Sequence, residues 1–423
     1  MLTVRRVSAA AAAALILVGT AACGADGSGG SAAVPGVTDT EVVVGTHTPL
    51  TGPAAAGYST IAPATRAYFD YVNAQGGVHG RKITYKIKDD GYNPANTQQV
   101  VRQLVLQDRV FAILNGLGTP THTSVLDFLN SNRVPDLFPA SGTRNWDQPT
   151  KYPNTFAFQP DYVVEGKVLG AHIKSQYQGQ KVCFLGQEDD FGRDGLAGLE
   201  KVLGAVAVKR TYVTSNTNVE PQISSFKQEG CQVVVLATIP GFTARSLSVA
   251  KQLSFTPSFL VFNTGGDYQT LAKQLGADAK LTEGLVGLNY LPLYTETADP
   301  WIQLFTKVNR EYNGGAPLDG NAIFGMSIGY LFVQELLAAG RDLTRESLIK
   351  AVERGGYQGP GLAPLRHSPT DHSGYGGERF TRVTNGVQAY FGPTYQTDEA
   401  DAPVTEYDTP RAAPPANGIP QAG

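Results

Sequence analysis

Hydroxyl groups and glycines are concentrated in two loops of the first third of the sequence, and these residue types favour binding of a small polar ligand. One loop follows an apolar run at residues 110–114, and the other follows residues 134–138. Hydroxyls donate and accept hydrogen bonds without carrying charge, and neither loop contains an acid–base pair or a thiol suited to catalysis. The candidate ligand-binding residues of the two loops are Thr119, Pro120, Thr121, Ala140, Ser141, Gly142 and Thr143.

The elements around these loops are predicted to bring them to one edge of a sheet. Residues 110–114 and 134–138 are short apolar runs without a polar face, as in strands that are buried on both sides. Thr119 is a suitable N-cap and Pro120 a suitable first-turn residue for a helix through residues 125–129. Two parallel strands with a crossover helix place both loops at the carboxyl edge of the sheet, where open α/β sheets bind ligands.

An alternation of strands and helices extends along most of the chain and predicts two parallel sheets. The first series begins with strands at residues 41–46 and 83–88, and a second series begins at residues 181–185. The predicted fold class is therefore α/β, with two doubly wound parallel-sheet lobes. At 423 residues the chain is also long enough for two domains.

The strand ends of the second series supply the other half of the predicted cleft. Thr238 and Ile239 follow one predicted strand of this series, and Asn263 follows the next. An acidic run at residues 188–190 follows the first strand of the series. Because three consecutive carboxylates in a loop are usually solvated or cap the next helix, a general acid–base role is not favoured for them.

Other groups that could do chemistry do not form a convincing set. Ser368, Asp371 and His372 lie within one loop, and the sequence contains neither a G-x-S-x-G nor an H-E-x-x-H motif. His47 and His79 are isolated in the sequence. We therefore expect no metal, no cofactor and no enzymatic activity, and keep a secreted hydrolase as a remote alternative.

The N-terminus has the features of a lipoprotein signal peptide over residues 1–23. Two arginines precede an apolar run at residues 9–18, which is too short to span a bilayer. Small residues then precede Cys23, the expected lipidation site, although a plain secreted protein cleaved at this point is the alternative. Residues 24–40 are rich in Gly, Ser and Ala and are predicted to form a flexible tether to the extracytoplasmic face of the membrane.

Composition and cysteine usage narrow the expected partners. The formal net charge is −3, so nucleic acid is not an expected partner, and the chain is expected to be a monomer. Cys183 and Cys231 each begin a predicted strand. Outside the cytoplasm such a pair is a candidate disulfide, and two buried free thiols are the alternative.

Several segments together resemble the type I extracytoplasmic solute-binding proteins of ABC importers, and more narrowly the leucine/isoleucine/valine-binding group. These segments are PLTGPAAAGYS, VNAQGGVHGRKI, LGTPTHTS, VPDLFPASG and EDDFGRDG. The resemblance implies two lobes, joined by three hinge crossovers, that close over one ligand by hinge motion. It also implies that two aromatic residues, Tyr58 and Phe191, contact the ligand.

The resemblance and the element pattern together give expected domain boundaries. Lobe 1 is expected to comprise residues 41–158 and 290–354, and lobe 2 residues 159–289 and 355–395. Residues 396–423 are rich in Pro, Ala and acidic residues and lack an apolar period, so they are predicted to be disordered.

One departure from the resembling group concerns the ligand. In that group a carboxylate pairs with the ligand ammonium at the position that matches Asn263 here. A neutral amide stabilises a buried ammonium much less than a carboxylate does. The ligand is therefore expected to be an amide, a carboxylic acid or another small metabolite, with an amino acid kept open. Delivery to an ABC permease with cytoplasmic ATPases is expected, and a ligand sensor of the same fold is the alternative.

Overall fold

The computed structural model describes residues 33–422, so the predicted signal peptide, the lipidation site Cys23 and most of the tether lie outside the described residues. The last part of the predicted tether differs from expectation. Val34 and Val37 pack against the first hydrophobic core, and the Val43 N–H donates to the carbonyl of Gly36 at 2.7 Å. The ordered fold therefore begins a few residues before the first strand.

The elements alternate along the chain much as the sequence predicts. The strands are β1 (Glu41–Thr48), β2 (Lys82–Asp89), β3 (Ile113–Leu114), β4 (Asp136–Leu137), β5 (Thr155–Phe156), β6 (Val182–Gln187), β7 (Val208–Tyr212), β8 (Val233–Ala237), β9 (Ser258–Val261), β10 (Val286–Asn289), β11 (Gly377–Thr384), β12 (Val387–Gln396) and β13 (Thr405–Tyr407). The α-helices are α1 (Ala55–Tyr58), α2 (Ile61–Ala74), α3 (Pro94–Arg102), α4 (Thr119–Thr123), α5 (Leu126–Ser131), α6 (Tyr162–Gln176), α7 (Asp190–Leu203), α8 (Glu220–Gln228), α9 (Pro240–Gln252), α10 (Tyr268–Leu275), α11 (Pro300–Tyr312), α12 (Gly320–Ala339) and α13 (Arg345–Arg354).

The strands form two sheets, as predicted for this fold class. The first has the order β2-β1-β3-β4-β5 and is parallel throughout. The second has the order β13-β12-β11-β10-β9-β8-β6-β7, in which β6 to β10 are parallel and β11 to β13 are antiparallel additions. The chain passes between the two lobes after β5, after β10 and after α13. Both sheets direct the carboxyl ends of their parallel strands toward the space between the lobes.

Helix α12 is the central core element of the first lobe. It is long and apolar enough to cross a membrane, but 78% of its most apolar window is buried within the protein. Gly325 allows α12 to approach α2 closely, since a Cβ there would lie 2.2 Å from the carbonyl oxygen of Ile61. The helix is apolar on all sides because it is covered on all sides, as expected for a core helix.

The predicted disulfide between Cys183 and Cys231 is confirmed. Cys183 lies in β6 and Cys231 comes just before β8, and these two strands are parallel neighbours. The two Cα atoms are 5.9 Å apart, which is within the range that a disulfide spans. The bond therefore joins adjacent strands of the second sheet.

The prediction of a disordered C-terminal tail is wrong for residues 397–422. Its first part forms β13 and surrounds Lys167, whose ammonium donates to the carbonyls of Asp398, Ala400 and Ala402 at 2.8–3.0 Å. Farther on, the Trp301 indole donates to the carbonyl of Ala412 at 2.9 Å. The tail is held by donors that bind its backbone carbonyls. An apolar period in the tail is not needed for such binding.

Candidate ligand-binding cleft

A cavity of about 90 Å³ lies between the two lobes, next to the carboxyl ends of their strands. The first lobe contributes side chains that include Tyr58, Tyr92 and Phe324, and the second contributes Tyr162 and Phe191. Residues of the crossover after β10 form a third side. Aromatic and aliphatic groups thus form most of the wall, with hydroxyl and amide groups between them.

Half of the candidate residues from the sequence line this cavity. They are Tyr58, Thr119, Ala140, Phe191, Ile239 and Asn263. They come from both lobes and from separate loops, so the structure brings together residues that are more than 200 positions apart in sequence. The predicted single helix is divided into α4 and α5. Pro120 lies in the first turn of α4 as predicted, but the N-cap is Gly118 and not Thr119, which is the first residue of the helix. This places the Thr119 side chain at the strand edge that faces the cavity.

The other six candidates lie behind the wall, and their polar groups are engaged within the protein. The Thr121 hydroxyl donates to the carbonyl of Leu117, and that of Thr143 donates to Asp194 at 2.8 Å. Ser141 shares a 2.7 Å hydrogen bond with Thr119. The candidates that do not line the cavity are Pro120, Thr121, Ser141, Gly142, Thr143 and Thr238.

Two of these six have clear structural roles instead. The Thr238 hydroxyl is bonded to that of Thr243 at 2.6 Å, at the start of α9. Gly142 allows close contact with the crossover after β5, since a Cβ there would lie 2.5 Å from the Pro160 carbonyl oxygen. For these positions the sequence identified the correct loops but not the direction of the side chains.

Hydrogen bonds join the two lobes around the cavity. The Tyr58 hydroxyl donates to the carbonyl of Thr264 at 2.6 Å. The N–H of Gly320, the first residue of α12, donates to the carboxylate of Asp267 at 3.1 Å. Because each bond joins groups from opposite lobes, the structure is a closed arrangement of the cleft.

Several lining residues were missed by the sequence analysis. They include Tyr92, Gln159, Tyr162, Asp267, Tyr290, Asn321, Phe324 and Gln388. Asp267 lies four residues after Asn263, so extending the candidate loop by that length would have included it. Tyr92 was not predictable in this way, because it reaches the cavity through a left-handed backbone conformation (φ 58°), which a sequence pattern does not indicate for tyrosine.

The wall is electrostatically acidic or neutral. No Lys, Arg or His lines the cavity in the part of the chain that the structure describes, whereas Asp267 does. Just behind Asn263, Glu165 accepts the Asn263 N–H at 2.9 Å. Burial raises the pKa of Glu165 to about 8, and burial together with Glu165 raises the pKa of Glu378 well above its ordinary value. At neutral pH this buried pair therefore retains protons.

Asp267 weakens the inference, drawn from the neutral Asn263, that the ligand lacks an ammonium group. Asn263 is a neutral lining residue as predicted, and its amide donates to the carbonyl of Leu288 at 3.1 Å. Four positions later, however, Asp267 provides a carboxylate at the wall of the same cavity. The neutral residue at 263 is therefore not a sufficient reason to exclude a ligand with an ammonium group.

In the loop that holds Ser368, Asp371 and His372, the imidazoles bond to backbone carbonyls of the neighbouring strand and crossover. His372 bonds through Nδ1 to the carbonyl of Thr155 at 2.8 Å, and His367 bonds through Nε2 to that of Ala157 at 2.6 Å. Both imidazoles thus support the strand and crossover at β5. Within residues 33–422, no group of three or more His, Cys, Asp or Glu side chains is placed to hold a metal ion.

Two α/β lobes closed over a cavity at their strand ends define a two-lobed binding-protein fold, and comparisons with known proteins agree. The model of a family described as periplasmic binding protein matches residues 41–388. The chain belongs to this family. The Leu/Ile/Val-binding protein homolog 2 of Brucella abortus (strain 2308) is 29% identical over 213 residues, which are 48% of this chain and 55% of that protein. The match thus spans about half the length of this curated relative.

Solved structures share the fold over most of the chain. A possible leucine/isoleucine/valine-binding protein from Rhodopirellula baltica SH 1 has a TM-score of 0.76 at 21% identity, covering 84% of this chain and 97% of that one. A branched-chain amino acid ABC transporter structure from Thermus thermophilus with bound valine has a TM-score of 0.75 at 21% identity, covering 86% and 98%. A fatty acid ABC transporter substrate-binding protein from Thermomonospora curvata has a TM-score of 0.77 at 22% identity, covering 88% and 98%. The match of the family model confirms the broader assignment made from the sequence motifs, to the periplasmic binding proteins.

Proposed function

We propose that this protein is an extracytoplasmic binding protein, anchored to the membrane by lipid on Cys23, that captures a small polar metabolite and delivers it to an ABC importer. The observation that carries this proposal is the cavity between the lobes, which has residues from both lobes in its wall and interlobe hydrogen bonds around it. A ligand bound there would contact both lobes at once. Its binding energy would therefore favour the closed form over the open one. The disulfide is consistent with a location outside the cytoplasm.

The size of the cavity bears on the ligand. An engineered protein cavity of about 150 Å³ binds benzene, and the closed cavity here is about 90 Å³. A ligand of a few heavy atoms, such as a small amino acid, a short amide or a small carboxylate, suits this volume. A long acyl chain would require a more open cleft, so the fatty-acid-binding neighbour is a poorer guide to the ligand.

The wall chemistry defines how such a ligand would be held. A ligand carboxylate would depend on uncharged donors such as the Thr119 hydroxyl and nearby backbone N–H groups. A ligand amide or ammonium group would have the Asn263 side chain and the Asp267 carboxylate within the same cavity wall. Aromatic side chains would cover the apolar part of the ligand.

A thermal-shift screen of the protein without residues 1–23 tests binding. The panel contains branched-chain and aromatic amino acids, short amides, urea and small carboxylates. A ligand at 100 times its Kd adds about 2.7 kcal/mol, so at about 2–4 °C per kcal/mol a true ligand raises Tm by several degrees. If no member of the panel raises Tm, the proposed ligand class is wrong.

Two further measurements test closure and delivery. Tyr58→Phe should weaken binding because it removes the bond to Thr264, whereas Tyr71→Phe, which removes a bond to Asn417 far from the cavity, should not. Solution scattering should show compaction with the ligand found in the screen. Loss of cellular uptake of that ligand on gene deletion would support import. If gene deletion leaves uptake unchanged but abolishes a cellular response to the ligand, the alternative function, a ligand sensor of the same fold, would be favoured.

A further inference from the structure

Four buried titratable side chains form a continuous hydrogen-bonded network beneath the first-lobe wall of the cavity. Asp90 bonds to His47 Nδ1 at 2.8 Å, His47 Nε2 lies 2.9 Å from His122 Nδ1, and His122 Nε2 lies 2.9 Å from Asp136. All four residues are at most 1% exposed. We call Asp90, His47, His122 and Asp136 the buried histidine network.

The number of protons in this network follows from its geometry. Each of the three junctions is a hydrogen bond and needs one proton. Two neutral imidazoles supply only one N–H each, and ionised carboxylates supply none. The closed network therefore contains one proton more than two neutral histidines and two carboxylates provide. Without it, two lone pairs would face each other across one junction at about 2.9 Å.

The contacts at each end indicate where the additional proton lies. The Tyr92 N–H donates to Asp90 at 2.9 Å, so Asp90 acts as an acceptor and His47 donates to it through Nδ1. Burial lowers the pKa of His47 despite the neighbouring Asp90 carboxylate, so His47 is the neutral imidazole and accepts from His122 Nδ1–H. Only the junction between His122 Nε2 and Asp136 then lacks an N–H from a neutral imidazole.

The network supports two segments of the cavity wall. The backbone at Gly116 passes directly over both imidazoles, since a Cβ there would lie 2.3 Å from His122 Nδ1 and 2.5 Å from His47 Nε2. The next residue, Leu117, donates its N–H to the His47 carbonyl at 3.1 Å and lines the cavity. At the other end, Asp90 holds the backbone of Tyr92, which also lines the cavity.

We propose that the buried histidine network is a single-proton switch that holds the first-lobe wall of the cavity in place. With the proton bound, all three junctions are closed. When the proton leaves, the junction between His122 and Asp136 opens, and the wall segment at Leu117, which follows the Gly116 backbone packed on His122, loses its fixed support. Within residues 33–422, the network is also contacted by the Tyr92 N–H and the Thr97 hydroxyl at Asp90, the Thr155 hydroxyl at Asp136 and the Trp146 ring at His122, and none of these groups is charged.

The substitution Asp136→Asn tests the proton count. The Asn amide supplies an N–H to His122 Nε2, so every junction is closed without an additional proton. The folded variant then binds one proton fewer than the folded wild type, while their unfolded chains bind the same number above about pH 5. The ratio of the unfolding equilibrium constant of D136N to that of wild type should therefore fall about tenfold per pH unit, until the wild-type network releases its proton.

Urea denaturation between pH 5.5 and 9 measures this ratio. Asp127→Asn is the matched control, because Asp127 is an exposed acid in the next helix that bonds to the Tyr152 hydroxyl, and its ratio to wild type should not change with pH. Asp90→Asn supplies the missing N–H at the opposite end and should reproduce the slope if D136N does not fold. The proposal is overturned if the unfolding constants of D136N and D90N, each divided by that of wild type, are as independent of pH as the same ratio for D127N.

Hydrogen exchange of the Leu117 amide tests the link to the wall. At pH values high enough that the ratio of the D136N to the wild-type unfolding constant no longer changes, the wild-type network has lost its proton. The Leu117 amide should then exchange faster in wild type than in D136N at the same pH. Equal protection of Leu117 in the two proteins at every pH would show that the network does not support the wall. Neither measurement requires a ligand, so both are independent of the proposed transport function.

Discussion

Gly320→Ala should selectively destabilise the closed form of the protein. A Cβ at residue 320 would lie 2.6 Å from Oδ2 of Asp267, in the opposite lobe. Asp267 cannot move away freely, because it accepts the N–H of Gly320 at 3.1 Å and caps α10 by accepting the N–H of Thr270 at 2.8 Å. Losing a hydrogen bond to a charged group costs about 1.5–3 kcal/mol. At 1.4 kcal/mol per factor of ten, ligand affinity should fall about 10- to 100-fold.

Isothermal titration with the ligand from the thermal screen measures this effect, and unfolding of the ligand-free protein shows whether folding is affected. Gly241→Ala is the matched control: it also lies in the first turn of a helix, α9, and its added Cβ would face the Pro53 carbonyl of the opposite lobe with no neighbour nearer than 3.6 Å. Wild-type affinity in G320A, or a loss shared equally by G241A, would refute the reasoning.

Three other predictions follow from features outside the cavity. Replacing both Cys183 and Cys231 by Ser should lower the free energy of unfolding by about 4 kcal/mol, the chain-entropy value for the 48-residue separation; a loss below about 1 kcal/mol in urea denaturation would contradict this. Ending the chain after Tyr407 removes the backbone carbonyls that accept hydrogen bonds from Trp301, Tyr68 and Tyr71. At about 0.5–1.5 kcal/mol per lost hydrogen bond, this truncation should lower Tm by several degrees, and an unchanged Tm would show that the segment does not stabilise the fold. The Glu165 carboxyl has a pKa raised to about 8 by burial, so its contribution to stability is lost as pH rises from the unfolded pKa of about 4.3 toward 8. Glu165→Gln keeps an acceptor for the Asn263 N–H, so its free energy of unfolding should fall less with pH over that range than that of wild type, and parallel pH profiles would contradict the assignment.

Much of the fold was predictable because buried parallel strands leave a strong sequence signal. The apolar runs that became β6 and β8 were identified, and from their positions the disulfide was expected and found. The tail was mispredicted for an identifiable reason. Composition rules estimate how much apolar surface a segment buries, whereas residues 397–422 are fixed by backbone carbonyls that accept from Lys167 and Trp301. Those donors are more than 100 residues away in sequence, so nothing within the tail indicates them.

The site was predictable at the level of loops but less so at the level of side chains. A hydroxyl at a strand edge can face the cavity, as Thr119 does, or bond to its own loop, as Thr121 does, and the two positions look alike in sequence. The pairing of His47 with His122 depends on the placement of β1 beside β3, which joins positions 75 residues apart. His47 therefore looked isolated. The same placement explains why the wall at Leu117 rests on buried ionisable groups: an unpaired imidazole would be costly there, and the neighbouring carboxylates reduce that cost only while the additional proton completes the network.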